Sequence, residues 1–278
     1  MAIQHLADKL VLVTGAGSGI GFEIARHFAA QGAKLLLVDI NDVILEVARQ
    51  KICTTGADCH IYRVDVSDPE AMHDLSVRVQ AEHGVLDVLV NNAGIAFLGS
   101  FRATPLAQWR RTLDINVMGV VHGCHYFLPD MLKAGGARHI VNIASAAGLA
   151  ATANMSAYSA SKHAIVGLSD CLALELSGSS VAISVVCPGV INTPIAQFSG
   201  SNVGKNISVE QVARLGEYYR IQGAAPSVVG AAVVDAVRTG KSLVLVGPFA
   251  ALIYHLRRLS RTLLHKILVK ESKKMGWL

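Results

Sequence analysis

Short, continuously apolar runs alternate along this chain with longer segments whose apolar residues recur every three or four positions. The runs KLVLVTG (9–15), KLLLVD (34–39), CHIYRVD (59–65), LDVLVNNAG (86–94), HIVNIAS (139–145), VAISVVCPG (181–189) and KSLVLVG (241–247) predict seven strands. Helical periodicity predicts helices over 19–31, 41–53 and 69–83, two between 105 and 133, and others over 156–176 and 226–238. The strands lack polar alternation, which is the mark of strands covered on both faces. Strand–helix alternation of this kind predicts an α/β fold: a doubly wound, seven-stranded parallel sheet, Rossmann-like, with helices on both faces.

The 278 residues suit one large domain, and no long linker, repeat or low-complexity stretch divides them. The predicted division is a dinucleotide-binding and catalytic domain over 1–248 and a basic amphipathic helical extension over 249–278. The stretch 197–223 is long for a connector and reads as a flexible lid followed by a short helix near 209–221.

Composition narrows the classes. Apolar residues make up 52% and charged residues 16%, so much apolar surface must be hidden in a core, a ligand site or a subunit contact. The five cysteines include no C-x-x-C pair, and their odd number gives no disulfide framework; a reduced, cytoplasmic setting is expected. No leader pattern opens the chain, and no run is long and apolar enough to span a bilayer. The net charge is +5, but residues 251–278 alone carry +6, which leaves the rest at −1. A nucleic-acid partner therefore has no support outside the tail.

Candidate chemistry lies at the C-terminal ends of the strands, where open α/β sheets bind ligands. Strand one runs into Thr14-Gly15-Ala16-Gly17-Ser18-Gly19-Ile20-Gly21 and then a helix. Glycines allow close backbone approach to a pyrophosphate, and the helix N-terminus offers free N–H groups. The spacing is T-G-x-x-x-G-x-G, which departs from G-x-G-x-x-G. Asp39 ends the second strand, where a carboxylate can bind an adenosine ribose and repel a 2′-phosphate. No Lys or Arg stands in the turn or just after Asp39, so NAD is expected over NADP; Asp39 also suits a capping role. Tyr158 and Lys162, four apart on a predicted helix, share one face, and an ammonium beside a phenol favours phenolate. Ser145 ends the fifth strand. The eleven histidines form no H-E-x-x-H set, no metal is expected, and surface or loop positions are expected for most.

Together these motifs resemble the short-chain dehydrogenase/reductases of the common single-domain type, from about residue 8 to residue 247. Thr14 to Gly21 looks like that family's cofactor turn, and the resemblance assigns Gly15, Ser18, Gly19 and Ile20 to the cofactor. Asp65 resembles the residue that meets the adenine, with Val66 beside it. Asn91-Asn92-Ala93-Gly94 is similar to the N-N-A-G element, so Asn92, Ala93 and Gly94 join the cofactor set. Pro188, Gly189 and Thr193 resemble the segment that holds the nicotinamide. Asn116, Ser145, Tyr158 and Lys162 match the catalytic residues.

The implied roles are specific. Ser145 would hold the substrate oxygen, and Tyr158 would exchange its proton. Lys162 would bind the nicotinamide ribose and lower the tyrosine pKa, and Asn116 would hold a water linking Lys162 to solvent. Structural roles remain open for three of them: a turn cap for Ser145 and for Asp65, and a helix cap or kink for Asn116. Cys187 reads as a small buried hydrophobe.

Three stretches are expected to line the substrate pocket: 95–98, then 146–149 with Asn154-Met155, and 194–198. They are apolar and place no Arg or Lys to grip an acid, so a lipophilic secondary alcohol or ketone is the expected substrate. With NAD, oxidation is the expected direction of a reversible reaction. The alternatives are an NADP-dependent carbonyl reductase, or a silent cofactor-binding scaffold recruited to membranes. The tail is expected to form one amphipathic helix over 249–274, with Ile253, Leu256, Leu259, Leu263, Ile267 and Lys270 along one stripe. It suits an anionic membrane, a subunit contact, or a cover over the pocket. A homo-oligomer, dimer or tetramer, is implied by the resemblance.

Overall fold

Seven parallel strands form one sheet in the order β3-β2-β1-β4-β5-β6-β7. They are Leu10–Thr14 (β1), Lys34–Asp39 (β2), Cys59–Arg63 (β3), Val88–Asn91 (β4), Arg138–Ile143 (β5), Val181–Pro188 (β6) and Leu243–Val246 (β7). The structure is a computed structural model that describes residues 2–54 and 56–277. The strand order reverses between β1 and β4, and a crevice opens there at the carboxyl ends of the strands.

The strands are buried on both faces because alternate residues enter different cores. Val11 and Val13 join one cluster with Ile24, Phe28, Val229 and Val233. Leu10 and Leu12 join the other with Met72, Leu75, Phe127 and Ile165. The first face is thus covered by Gly19–Ala29 (α1), Asp42–Cys53 (α2) and Ser227–Thr239 (α8). The second is covered by Pro69–His83 (α3), Gly119–Ala134 (α5) and Ser156–Glu175 (α6). Fully burying one such Leu or Phe contributes about 1.5–3 kcal/mol, so these two layers dominate the stability.

Helix starts follow local chemistry. The Asn41 side chain accepts from the N–H groups of Val43 and Ile44, and Asp68 does the same for Glu70 and Ala71, with Pro69 next in line. Ser208 and Gln211 close a capping box on Val209–Gln222 (α7), the helix expected after the lid. The lid is tied down: Gly204 N–H donates to the Leu98 carbonyl at 2.7 Å, and Leu98 N–H to Asn202 O at 3.0 Å.

The helices bear out one expectation and change another. The two helices between 105 and 133 are Leu106–Leu113 (α4) and α5, joined through one π turn, Asp114–Met118. The tail is not one helix but two, Ala250–Leu259 (α9) and Arg261–Lys274 (α10). Ser260 breaks it with extended dihedrals (φ −159°, ψ 107°), and its hydroxyl caps α10 by accepting from Leu263 N–H at 3.1 Å. The single stripe is therefore interrupted: Leu264 is buried, whereas Leu259 is 79% exposed. Nine of the eleven histidines are exposed or half-buried, as expected for most, and His122 and His139 are buried. Among the described residues, no helix is long and apolar enough to cross a membrane.

Candidate active site

The nucleotide-side end of the crevice is built from backbone. Gly15 and Gly19 take left-handed dihedrals, φ +63° and +56°. A Cβ on Gly15 would lie 2.9 Å from the Ala93 Cα, and one on Gly21 would run into the Gly15 carbonyl. Asn92 fastens this turn to the end of β4. Its Nδ2 donates to the carbonyls of Thr14 at 2.8 Å and Gly15 at 3.2 Å, while the Thr14 hydroxyl accepts from Asn92 N–H at 2.9 Å. Ser18 precedes α1 without using its side chain as a cap, which leaves the first N–H groups of the helix directed at the cleft.

Asp39 stands at the rim of this turn. One carboxylate oxygen accepts from Gly17 N–H at 3.0 Å and the other from Asn41 N–H at 3.1 Å. Asp65 does cap the following turn, accepting from Ser67 N–H at 2.9 Å and from its hydroxyl at 2.6 Å, and still borders the cleft beside Val66. On the far side, Gly189 packs where a Cβ would strike the Pro248 carbonyl, and Thr193 comes within 3.6 Å of where a Gly19 Cβ would sit. These features fit a dinucleotide: bare backbone for a diphosphate, free N–H groups, and a carboxylate at the end of β2 beside the glycine turn. Every residue assigned to the cofactor from sequence lines a single cavity of about 890 Å³.

The polar centre of that cavity holds Ser145, Tyr158 and Lys162. Ser145 follows β5 directly, and its Oγ accepts from Ala147 N–H at 3.0 Å; the turn-capping role and exposure to the cavity coexist. Tyr158 and Lys162 lie one turn apart on α6, with Nζ 5.8 Å from the phenol ring centroid. Lys162 is buried, and its Nζ donates to the Ile143 carbonyl at 2.8 Å, a contact across to β5. Burial pulls its pKa down to about 8. Burial pushes the Tyr158 phenol up from its ordinary value, while a hydrogen bond with Ser145 works against that rise. Desolvation is the larger influence, so the phenol is raised here rather than lowered as the spacing to Lys162 leads one to expect. The nearby Cys187 thiol is pushed up to about 12 by burial, which removes it as a nucleophile.

Asn116 is fully buried behind the cavity rather than in its lining. The π turn brings it inward, where Oδ1 accepts from Ile95 N–H at 2.8 Å. Its Nδ2 donates to the Ile95 carbonyl at 2.9 Å and to Ser161 Oγ at 3.0 Å. Its observed work is to clamp the strand-four loop against α6. A π turn breaks the regular helical register, and such turns recur at functional sites.

The remaining part of the cavity is apolar, with a core of Ala96, Leu98, Met155, Phe198 and Leu215. Phe97, Gly148, Leu149, Asn154 and Gln197, expected in the lining, are not part of it. Sequence reasoning missed Leu215 and Tyr219 of α7, and it left open that the tail covers the site. Leu256, Leu264, Leu268, Met275 and Trp277 all face the cavity. Burial pushes the Tyr219 phenol up, with Tyr158 close enough to add to the rise. The tail is held by polar contacts: Arg257 donates to the Leu149 carbonyl and lies 2.8 Å from His163 Nε2. Asn154 Nδ2 donates to the Trp277 carbonyl at 3.3 Å. Arg111, outside the three stretches, reaches the cavity lip, but its side chain is exposed there.

Comparison with known proteins agrees with this architecture. A family model described as short chain dehydrogenase matches residues 9–204. "Probable oxidoreductase EphD" of Mycobacterium tuberculosis (strain ATCC 25618 / H37Rv) is 39% identical over 257 residues, covering 91% of this chain and 43% of that protein. The chain thus spans less than half the length of that curated relative. "Cyclohexanol dehydrogenase" of Acinetobacter sp. (strain SE19) is 36% identical over 214 residues, 76% of this chain and 83% of that one. Among solved structures, a short-chain dehydrogenase/reductase from Burkholderia phymatum in complex with NAD superimposes with TM-score 0.87 at 30% identity, covering 94% of this chain and 96% of its own. With a seven-stranded parallel sheet, a glycine turn at its switch point and this family match over most of its length, the chain belongs to the short-chain dehydrogenase/reductase family of oxidoreductases.

Proposed function

We propose that the protein oxidises hydrophobic secondary alcohols, and reversibly reduces the matching ketones, with NAD as the partner. The observation that carries this reading is the continuity of one cavity. Asp39 and the glycine turn stand at one end, Ser145, Tyr158 and Lys162 in the middle, and an apolar chamber at the other end. NAD, when bound, supplies the hydride acceptor.

The chain's own residues would do the rest. Ser145 Oγ hydrogen-bonds the alcohol oxygen and fixes it against Tyr158. Tyr158 takes the alcohol proton, which requires a phenolate that burial alone disfavours. The Ser145 hydrogen bond offsets part of the rise that burial causes, and a positive charge on Lys162, one helical turn away, acts in the same direction. Lys162 remains mostly charged at neutral pH, its pKa being held at about 8. Asn116 holds the Ile95 segment, so that the cavity wall beside Lys162 keeps its position. The tail and α7 exclude water from the apolar chamber.

Asp39 supports NAD over NADP, because a carboxylate that already engages Gly17 N–H repels a 2′-phosphate at the same place. A relative named for cyclohexanol oxidation and a structural neighbour bound to NAD support the same choice. The test is NAD and NADP reduction over secondary alcohols of graded chain length and ring size. Faster turnover with NAD on the larger apolar alcohols is expected. Preference for NADP, or for small hydroxy acids over every apolar alcohol, would refute the reading.

A further inference from the structure

The helix α10 presents two unlike faces. Leu264, Leu268, Ser272 and Met275 turn toward the cavity. At 100° per residue, the outward sector gathers Lys266, Lys270, Lys273 and Lys274 around Leu263 and Ile267, which are 44% and 38% exposed. The helix α9 extends this surface with Leu252 and Leu259, 56% and 79% exposed. Arg258 and Arg261 stand beside them, both exposed.

Two observations give this surface a direction. Leu252 and Ile267 are exposed and also line the cavity, so the apolar strip is the rim of the cavity mouth. The cations around it are largely uncompensated. Among the described residues, Lys274 pairs with Glu271 at 2.7 Å, whereas Arg261, Lys266, Lys270 and Lys273 have no acidic partner. Exposed leucines among lysines, on a short helix, are the pattern of a segment lying in a membrane interface.

We infer that α9 and α10 seat the cavity mouth on an anionic lipid surface, so that an apolar alcohol passes from the bilayer into the cavity. This inference rests on the apolar-substrate reading for its purpose, but not for the docking itself. Negative headgroups would meet the four unpaired cations, and Leu259, Leu263 and the rim residues would enter the acyl boundary. A second copy fits this face poorly, because it would bring the same concentrated positive charge against itself. Nucleic acid gives the exposed leucines nothing to cover them.

The test uses the whole protein and vesicles of phosphatidylcholine alone or mixed with phosphatidylglycerol. Sedimentation with the mixed vesicles only, reversed by added salt, is expected. At about 1 kcal/mol per surface cation, the variant K266Q/K270Q/K273Q partitions roughly a hundredfold more weakly. The variant L259Q/L263Q keeps every charge and is expected to lose at least about tenfold, because two apolar side chains no longer enter the lipid. None of these five residues lines the cavity, so both variants keep wild-type NAD-linked turnover of a short, water-soluble secondary alcohol.

Equal binding to neutral and anionic vesicles, no binding, or unchanged binding by the lysine variant overturns the inference. So does a wild-type dimer that the lysine variant dissolves, or binding to duplex DNA without binding to vesicles. If vesicles are bound but no alcohol is oxidised, the docking stands and the proposed function falls.

Discussion

The two ends of the cavity are made by different physics. The nucleotide-side end is backbone geometry and short polar side chains: Gly15 and Gly21 leave no room for a Cβ, and Asn92 bonds the Thr14 carbonyl at 2.8 Å. A Cβ has no room at Gly21, and no other side chain reproduces the Asn92 amide bridging two carbonyls. The apolar end is assembled from residues far apart in sequence, Ala96, Met155, Phe198, Leu215, Leu264 and Trp277, whose side chains meet by contact area, while a few polar contacts at the edge fasten the tail. Directed bonds tolerate almost no substitution, whereas apolar contact tolerates changes of shape at modest cost. The first end should respond to mutation steeply and the second by degrees.

The largest effect is expected between the two ends. Lys162→Met removes the charge beside Tyr158 and the donor to the Ile143 carbonyl. Turnover should fall by about 10²–10⁴-fold, the usual range for losing acid–base catalysis. NAD affinity, measured by fluorescence titration, should fall with it.

Next comes the frame beneath both ends. His139 in β5 is buried, its pKa pulled down to about 4, and its Nε2 lies 2.7 Å from Ser184 Oγ. The folded state therefore holds a neutral imidazole that the unfolded chain would protonate near its ordinary value. Its contribution to stability is full above pH ~6.5 and is lost as pH falls toward about 4, by roughly 3 kcal/mol in all. Urea melts across that range should fall accordingly, with a shallower acid limb for His139→Gln. An acid limb of equal steepness in both proteins would place the destabilisation elsewhere.

Smaller effects should separate the ends cleanly. Asp39→Ala should relax the preference for NAD over NADP by about tenfold or more, one charge contact being worth about 1.4 kcal/mol or above. Substrate ranking should not move. Leu264→Ala, at the buried side of α10, should raise KM for long-chain alcohols several-fold while leaving short alcohols and cofactor preference unchanged. Should Leu264→Ala shift NAD affinity, or Asp39→Ala shift alcohol ranking, the division between the ends is wrong.

The same contrast decides what is legible in the sequence. The strands are visible because parallel strands must be apolar on both faces, as Val11 and Leu12 are in opposite cores. The glycine turn and the Tyr158–Lys162 pair are visible because short-range geometry maps directly onto spacing. Asn116 is found by position, but its orientation is not: the π turn that swings it onto Ile95 leaves no mark in hydrophobic periodicity. The tail reads as one helix because its period runs almost unbroken through Ser260. The break comes from the fit of Leu264 against the pocket and from a serine hydroxyl that caps α10. Spacing ties the tyrosine pKa to one neighbour, whereas the decisive influence is burial by many.

The most direct test of the account compares wild type with Tyr158→Phe in NAD-linked oxidation of a long-chain secondary alcohol, with NAD binding measured on both. The phenol lacks only its hydroxyl in this variant, so cavity shape is kept. The account predicts turnover reduced by at least about a hundredfold with NAD affinity within a few-fold of wild type. Undiminished turnover in Tyr158→Phe would contradict it.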